Sequence, residues 1–497
     1  MFRPFVLDDT GRPFVELVAP DADAAIIAGQ AYVGNGTADA VYFTTDAVAA
    51  SDGFVGGFRY TTAGALRAYD ATAGVPAGSS VNQGIAMTSD GQVCYSTDNP
   101  STVFNLAGVA VDSVGRILID LLTFELLFAD LGAGVVSTVE AINGTTPTFT
   151  RATVAWTKLA SGLWAEVASG SPRSFYGPNA NTVPGEYLGY LSEGSRTQLV
   201  TPDASIRDMT DAAWVAGATL TVAKTGTGID GVSNSCSRLT GGALEATNTI
   251  LQTLTAAASS RNYSVWLRRV TGTGTISITQ DGGSTWTDVT SSISTEHFTR
   301  VSLTASVLNA SFGIRVSTLL DEVLADFNQF EAGTFASTPI ATTAARNADV
   351  LTYPTTGWAS ATAGTLMARY ATRITTTMYG VCLADAAGPA NNVIGLITST
   401  ANIQAAVVAG GVSQASFAVG TATNFTQFNQ ALAYAANDVA SCVNGGTVGT
   451  DTSVTLPTFD TLRVGILNTG NQPFAPIRRV AYYAVRLPNT ELQALTA

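Results

Sequence analysis

Residues 327–340 read FNQFEAGTFASTPI, and the small, uncharged residues continue through 341–345, ATTAA, before a second apolar stretch begins. A run of β-formers from Leu324 to Phe330 closes at Glu331-Ala332-Gly333, where glycine permits the turn that ends a strand. One β-module therefore finishes here and another starts. Upstream, between residues 201 and 346, the same pattern gives strands at 219–223, 251–254, 263–267, 275–279, 300–303, 313–316 and 324–330. Gly- or Ser-rich turns separate them without helical periodicity, which is the signature of a jelly roll or sandwich. Downstream, residues 347–497 give strands at 366–371, 379–383, 393–397, 403–408, 431–435, 439–443, 461–466 and 478–485. The chain then reads PNTELQALT from 488 to 496, a helical turn with Asn489 or Thr490 as its cap.

Composition agrees with a mostly β protein. The chain has 497 residues, enough for about three domains at ~150 residues each. Charged residues are 12% of it, while Gly, Thr, Ala, Val and Ser recur throughout. The net charge is −13, and only Lys158 and Lys224 among the 24 basic residues are lysines. An acidic chain without basic clusters is a poor partner for nucleic acid or for an anionic membrane surface. The segment 116–136, RILIDLLTFELLFADLGAGVV, is interrupted by Asp120, Glu125 and Asp130, so it reads as a buried strand pair or short core helix rather than a membrane span. The first residues, MFRPFVLDDTGRP, lack the apolar core of a secretory signal.

Residues 1–135 carry a repeat. GIAMTSDGQV (84–93) and GVAVDSVGRI (108–117) match at an offset of 24, and VLDDTGRPFV (6–15) repeats the Asp-to-Gly-Arg portion. Each copy reads as a hairpin, and Leu66–Asp70 adds a strand between the first and second copies. Such units bury little unless they stack. Residues 136–200 are richer in Gly, Pro, Asn and Ser, but they also hold Trp156, Trp164, Phe175, Tyr176, Tyr187 and Tyr190. A disordered linker would lack those aromatics, so the stretch reads as a packed collar.

The collar carries a resemblance. FTRATVA (149–155), SGLW (161–164), SPRSFY (171–176) and GYLSEGSRTQL (189–199) resemble the collar of tailed-bacteriophage fibre and virion-surface proteins, with Gln198 where asparagine is usual. Residues 326–340 with TTAARNADV (342–350) are similar to the closing strand of the carbohydrate-binding-module-like jelly roll in those proteins. AYAANDVASCVNGG (433–446), LRVGI (462–466) and residues 477–495 resemble the concanavalin A-like, laminin-G-like sandwich that often ends them. The resemblance implies four parts: an N-terminal β-repeat virion-attachment module (1–135), a collar (136–200), a jelly roll (201–346) and a concanavalin A-like sandwich (347–497). It implies a structural fibre or adhesin, assembled in the host cytoplasm and displayed on the virion surface. Such a protein is a homotrimer that joins other virion proteins through its N-terminal module and binds host-surface polysaccharide without cleaving it. A polysaccharide depolymerase and a head-decoration protein are the alternatives.

No residue pattern supplies bond-breaking machinery. No G-x-S-x-G elbow, Walker loop or His-Glu-x-x-His occurs, and His297 is the single histidine. The carboxylates Asp321, Glu322, Asp326 and Glu331 sit at a strand lead-in and a module boundary, a poor place for the paired acids of glycoside hydrolysis. TQDGGSTW (279–286) fits the Asp-box, whose Asp ties down a hairpin turn. GTGIDG (226–231) fits G-x-G-x-x-G, but VSNSCSRLTGG after it is no helix, so no nucleotide cofactor is expected. Cys94, Cys236, Cys382 and Cys442 are too far apart for a zinc site, so no metal is expected. They read as buried thiols, with a Cys382–Cys442 bridge as the alternative. Sugar binding needs only an aromatic face and a few polar groups. In the last domain those candidates are Trp358, Tyr370, Tyr379, Asp385, Asn391 and Asn392.

Overall fold

The computed structural model describes residues 146–497, apart from 178–180, 374–376 and 469, and before them only the backbone of short strands. It forms two compact units, residues 1–125 with 482–485, and residues 126–481 with 486–497.

In the first unit the three sequence copies each pair as an antiparallel hairpin: Val6–Leu7 with Pro13–Phe14, Gln83–Met87 with Val93–Thr97, and Val109–Val111 with Ile117–Ile119. The innermost pairs, Leu7↔Pro13, Met87↔Val93 and Val111↔Ile117, each enclose five residues, and a glycine (Gly11, Gly91, Gly115) is the fourth of them every time. Between the first two hairpins, Tyr32–Gly34, Ala38–Phe43, Gly56–Tyr60, Leu66–Asp70 and Val75–Pro76 make an antiparallel meander. The remainder of the expected attachment module lies outside the described residues. The apolar run of 116–136 supplies the strands Ile117–Ile119 and Leu122–Leu127, and no helix among the described residues is long and apolar enough to cross a membrane.

The second unit holds two β-sandwiches. In the first, one sheet has the order Val215–Ala216, Thr249–Thr253, Ser311–Val316, Ile276–Thr279, Thr287–Asp288. The other has the order Thr221–Gly226, Cys236–Thr240, Glu322–Ala332, Ser260–Thr271, Thr299–Ser306. Alternate residues Ile276 and Ile278 on one strand, and Phe312, Ile314 and Val316 on its neighbour, are fully buried, as the apolar face of a pleated strand requires, while Ser277 and Thr279 are covered on the other face. Phe312 anchors this core, its ring centroid 4.4 Å from Phe330, 5.2 Å from Tyr263 and 5.7 Å from Trp214. The strand Glu322–Ala332 is central in its sheet and buried on both faces. Its second face is covered by the collar, through Trp156 on Phe327 at 4.7 Å.

The terminal sandwich is larger than its own segment of sequence. One sheet runs Thr148–Thr150, Val350–Pro354, Thr461–Val464, Met378–Ala384, Val393–Ser399, Asn402–Ala409, Val412–Thr421. The facing sheet runs Ser174–Tyr176, Tyr187–Ser192, Ala475–Tyr483, Ala363–Tyr370, Phe428–Ala435, Asp438–Val443, Gly449–Asp451. The collar thus donates an edge to each sheet, and residues 148–192 and 350–483 build one sandwich. The jelly roll lies in the chain between those halves. Its entry and exit are tied together by the backbone bridges Arg196↔Arg346 and Gln198↔Glu331.

The final helix, Asn489–Thr496, corrects the expected cap. Pro488 stands at the N-cap without a side-chain cap, and its carbonyl accepts from the amides of Glu491 and Leu492. Asn489 and Thr490 are already inside the first turn. Leu492 and Thr496, one turn apart, are the buried side. Cys236, Cys382 and Cys442 are buried free thiols, and burial pushes the Cys236 and Cys382 thiols up to about 12.

Candidate functional site

The collar strand Tyr187–Ser192 pairs with Ala475–Ile477. Gly189, at a φ of +125°, lets the two backbones meet, since a Cβ there would lie 2.1 Å from the Ile477 carbonyl oxygen. Just past this strand Glu193 turns inward. It pairs with Arg173 and Arg346, both at 3.0 Å, and accepts from the Thr338 amide at 3.0 Å and from the Thr338 hydroxyl. Asp349 pairs with Arg151 at 2.8 Å and with Arg173, and it accepts from the Glu193 amide at 3.0 Å. The arginines also donate to backbone carbonyls, Arg173 to Trp156, Arg346 to Gly194 and Arg151 to Ala168, and Arg173 and Arg346 both donate to the Thr338 hydroxyl. All five side chains are buried, so each charge depends on these partners. Burial alone would raise the Glu193 pKa, but Arg346 and Arg173 outweigh it and hold the carboxyl down at about 2.

Beside this network lies a cleft of about 140 Å³ where the collar, the jelly roll and the terminal sandwich meet. Its walls include Trp164, Arg300, Phe335, Arg373, Phe425 and Phe474. Arg300, on the strand Thr299–Ser306, donates to the Ser337 carbonyl and, at 3.0 Å, to the Ser264 hydroxyl, while its Nε has no partner among the described residues. Burial pushes its pKa down to about 10, against the opposing pull of Glu331 and Glu193. The Arg373 guanidinium lies 4.8 Å from the Phe335 ring centre and 5.4 Å from that of Phe425. Arg196 stacks on the other side, 4.4 Å from Phe335 and 4.9 Å from Phe474. Among the described residues neither Arg300 nor Arg373 has a carboxylate within ion-pair distance. Burial and the neighbouring Arg196 both lower the Arg373 pKa.

Two of the phenylalanines are held in the left-handed backbone region, Phe425 at a φ of +58° and Phe474 at +51°. For a bulky side chain that conformation costs on the order of 1–3 kcal/mol and gathers at ligand sites. The Phe425 amide is fixed by the Thr372 carbonyl at 2.9 Å, and Arg373 by Pro473 at 2.8 Å. Gly194 makes room for Phe474, since a Cβ at that position would lie 2.8 Å from its ring.

The residues singled out in the terminal sandwich do not form one site. Trp358 is buried and donates its Nε1 to the Pro354 carbonyl at 2.7 Å. Tyr370 fills the space between the two sheets against Gly380, and its hydroxyl donates to Gln430 at 2.7 Å. Tyr379 packs with Cys382, Val393 and Ile397. A ring with both faces in the core offers none to a sugar, which corrects the expectation of an aromatic platform there. Asp385, Asn391 and Asn392 share a loop region apart from these rings. Asp385 holds the Ala387 amide, Asn392 holds the Gly410 amide and Asn391 is exposed.

The remaining motifs are structural. Asp281 accepts from the Thr285 amide and the Thr279 hydroxyl, at 2.9 and 2.8 Å, and Arg315 stacks on Trp286 at 4.9 Å. Asp281→Ala is expected to cost about 1 kcal/mol in urea unfolding. Residues 226–231 run into the strand Cys236–Thr240 rather than a helix; the Ile229 amide is bound by Asp326, and Asp230 pairs with Arg207 at 2.6 Å. Asp321, Glu322, Asp326 and Glu331 each have their own arginine: Arg269, Arg238, Arg207 and Arg196.

The cleft residues Trp164, Arg300, Phe335, Arg373, Phe425 and Phe474 are each more than thirty residues from the next, and no local motif joins them. The available signal was the basic residue type. A chain with 24 basic residues and only two lysines puts its positive charge on groups that stack and fork, as buried or recognition sites demand.

No protein-family model and no curated protein matches this chain. Among solved structures it is similar to the CBM40 of the Ruminococcus gnavus IT-sialidase bound to α2,3-sialyllactose, at 15% identity over 28% of this chain and 84% of that one, with a TM-score of 0.24. It is similar to the CBM22-1–CBM22-2 tandem of Paenibacillus barcinonensis Xyn10C, at 8% identity over 59% of this chain and 99% of that one, with a TM-score of 0.22. It is similar also to Trypanosoma rangeli sialidase in complex with 2,3-difluorosialic acid, at 12% identity over 88% of this chain and 69% of that one, with a TM-score of 0.24. Scores of this size carry no weight for fold or function.

Proposed function

We propose that the chain is a structural, glycan-binding protein of a tailed-phage virion surface, which grips host polysaccharide without cleaving it. The observation that carries the binding half is the cleft, where three phenylalanines converge with two arginines that have no carboxylate within ion-pair distance among the described residues. Aromatic faces meet the C–H surfaces of a pyranose, and arginines meet its oxygens. The strain stored at Phe425 and Phe474 supports a binding role, since backbone in that region persists where the surroundings hold it for a purpose. The acids beside the cleft, Glu193 and Glu331, are both engaged by arginines, which favours holding over hydrolysis. The virion placement rests on the collar and sandwich stretches, and with it comes a trimer joined to its virion through the N-terminal region.

Incubation with purified capsular or lipopolysaccharide glycan tests this reading. Retention without released oligosaccharide is the expected result, and product release identifies a depolymerase instead. Light scattering at micromolar concentration is expected to return three times the chain mass of 51.1 kDa, and a monomer defeats the fibre assignment.

A further inference from the structure

We propose that the cleft selects a sugar bearing a carboxylate, with Arg373 and Arg300 facing the acid group and Phe335, Phe425 and Phe474 facing the ring. This rests on the glycan-binding reading and narrows it to acidic saccharides.

The argument is one of charge placement. Among the described residues six arginines surround the cleft or its wall (Arg151, Arg173, Arg196, Arg300, Arg346 and Arg373), and three carboxylates accompany them (Glu193, Glu331 and Asp349). Those three are already saturated. Glu193 and Asp349 hold Arg151, Arg173 and Arg346, while Glu331 takes the Ser337 amide and hydroxyl, the Gln329 amide group and Arg196. The excess positive charge therefore falls on Arg300 and Arg373, which line the cleft. The chain as a whole is strongly acidic, with a net charge of −13, so this is a local concentration of the opposite sign. Arg300 and Arg373 also repel each other, as do Arg373 and Arg196. An anion between them relieves that repulsion.

A bare inorganic anion would satisfy the charge but leave the aromatic wall unused. A planar carboxylate matches the guanidinium fork, and a pyranose ring carrying it presents C–H groups to the phenylalanines. Exposed Ser302 lies among the lining residues and gives the rest of an oligosaccharide a way out to solvent.

The test uses the full chain and calorimetric titration with oligogalacturonates and oligosialates, each against its carboxyl-reduced form, together with sulfated and neutral oligosaccharides. Binding is expected to a carboxylated series, to weaken by about tenfold or more on carboxyl reduction, and to weaken as ionic strength rises. Arg373→Gln is expected to reproduce the loss, about 10–100-fold. The Arg373 side chain has no described hydrogen bond to lose, and glutamine gives up its stacking on Phe335 and Phe425 while relieving the repulsion from Arg196, so the variant is expected to stay within about 1 kcal/mol of the parent in urea unfolding. Arg486→Gln, which breaks an ion pair with Asp438 outside the cleft, is the control and is expected to bind as the parent does. Equal binding of reduced and carboxylated forms, a preference for sulfated forms, or undiminished binding by Arg373→Gln overturns the acidic-sugar inference and leaves glycan binding standing. Retention of no glycan of either kind overturns both.

Discussion

Arg173→Met is expected to lower stability by about 3–5 kcal/mol, because it removes the one cation that two buried carboxylates share. Glu193 and Asp349 both pair with Arg173, and neither has access to water to replace it. Arg346 and Arg151 would each be left with one acid, but the Trp156 carbonyl would lose its donor and the fork linking the two acids would vanish. Urea unfolding followed by tryptophan fluorescence reads the loss, since Trp156 is bonded to the same guanidinium. A change below about 1 kcal/mol would show that the carboxylates find other partners. The same network sets an acid limit. The folded pKa of Glu193 is depressed from the ordinary 4.5 to about 2, so its contribution is fully present above about 4.5 and lost as pH falls through 2. Unfolding free energy is therefore expected to fall by about 3 kcal/mol across that window through this group alone. In Arg173→Met, which removes one of the two cations that depress the pKa, the drop is expected to begin at higher pH.

Gln198→Leu is expected to be nearly as damaging, at about 2–4 kcal/mol, although the two side chains differ little in size. The Gln198 carbonyl oxygen accepts from the amides of Leu199, Val200 and Phe330, and its NH2 group donates to the carbonyls of Asn328 and Ile340. Leucine takes a partner from backbone groups on three chain segments, 199–200, 328–330 and 340, and of these the Leu199 amide alone keeps a second acceptor that is described, the Phe330 carbonyl. Gln198→Asn keeps the chemistry but shortens the reach by one methylene. It is expected to lose a smaller share, so the two variants together separate hydrogen bonding from volume.

How far the sequence disclosed this depends on how each element is buried. Strands with one apolar face, such as Ser311–Val316 and Ile276–Thr279, alternate cleanly and were legible to within a few residues. The strand Val412–Thr421 escaped notice because it is the last in its sheet, and its VSQASFAVGT carries small, polar and half-exposed residues. Cys236–Thr240 was hidden by the weak β-propensity of Cys-Ser-Arg. The segment of 136–200 reads as irregular because its strands are short, yet they pair with strands far away in sequence, which no local pattern can reveal. The burial of the aromatic binding candidates was hidden for a related reason. Trp358, Tyr370 and Tyr379 have the right side chains, but residue type does not say which face of a sheet is covered. The charged collar positions Arg173 and Glu193 were inside the stretches that carried the family resemblance, so part of the cleft's supporting wall was in view even though its purpose was not.

The bridging of Arg196 to Arg346 has a mechanical meaning. A pull applied across the second unit along the chain passes from Thr148–Thr150 directly into Val350–Pro354, its hydrogen-bonded neighbour, and on into the terminal sheet. The intervening 201–346 segment sits on a shunt and carries no tension until that ladder tears. Tension entering at Thr148 therefore leaves the first sandwich, and with it Arg300 and Phe335 of the cleft, unloaded for as long as that pairing holds.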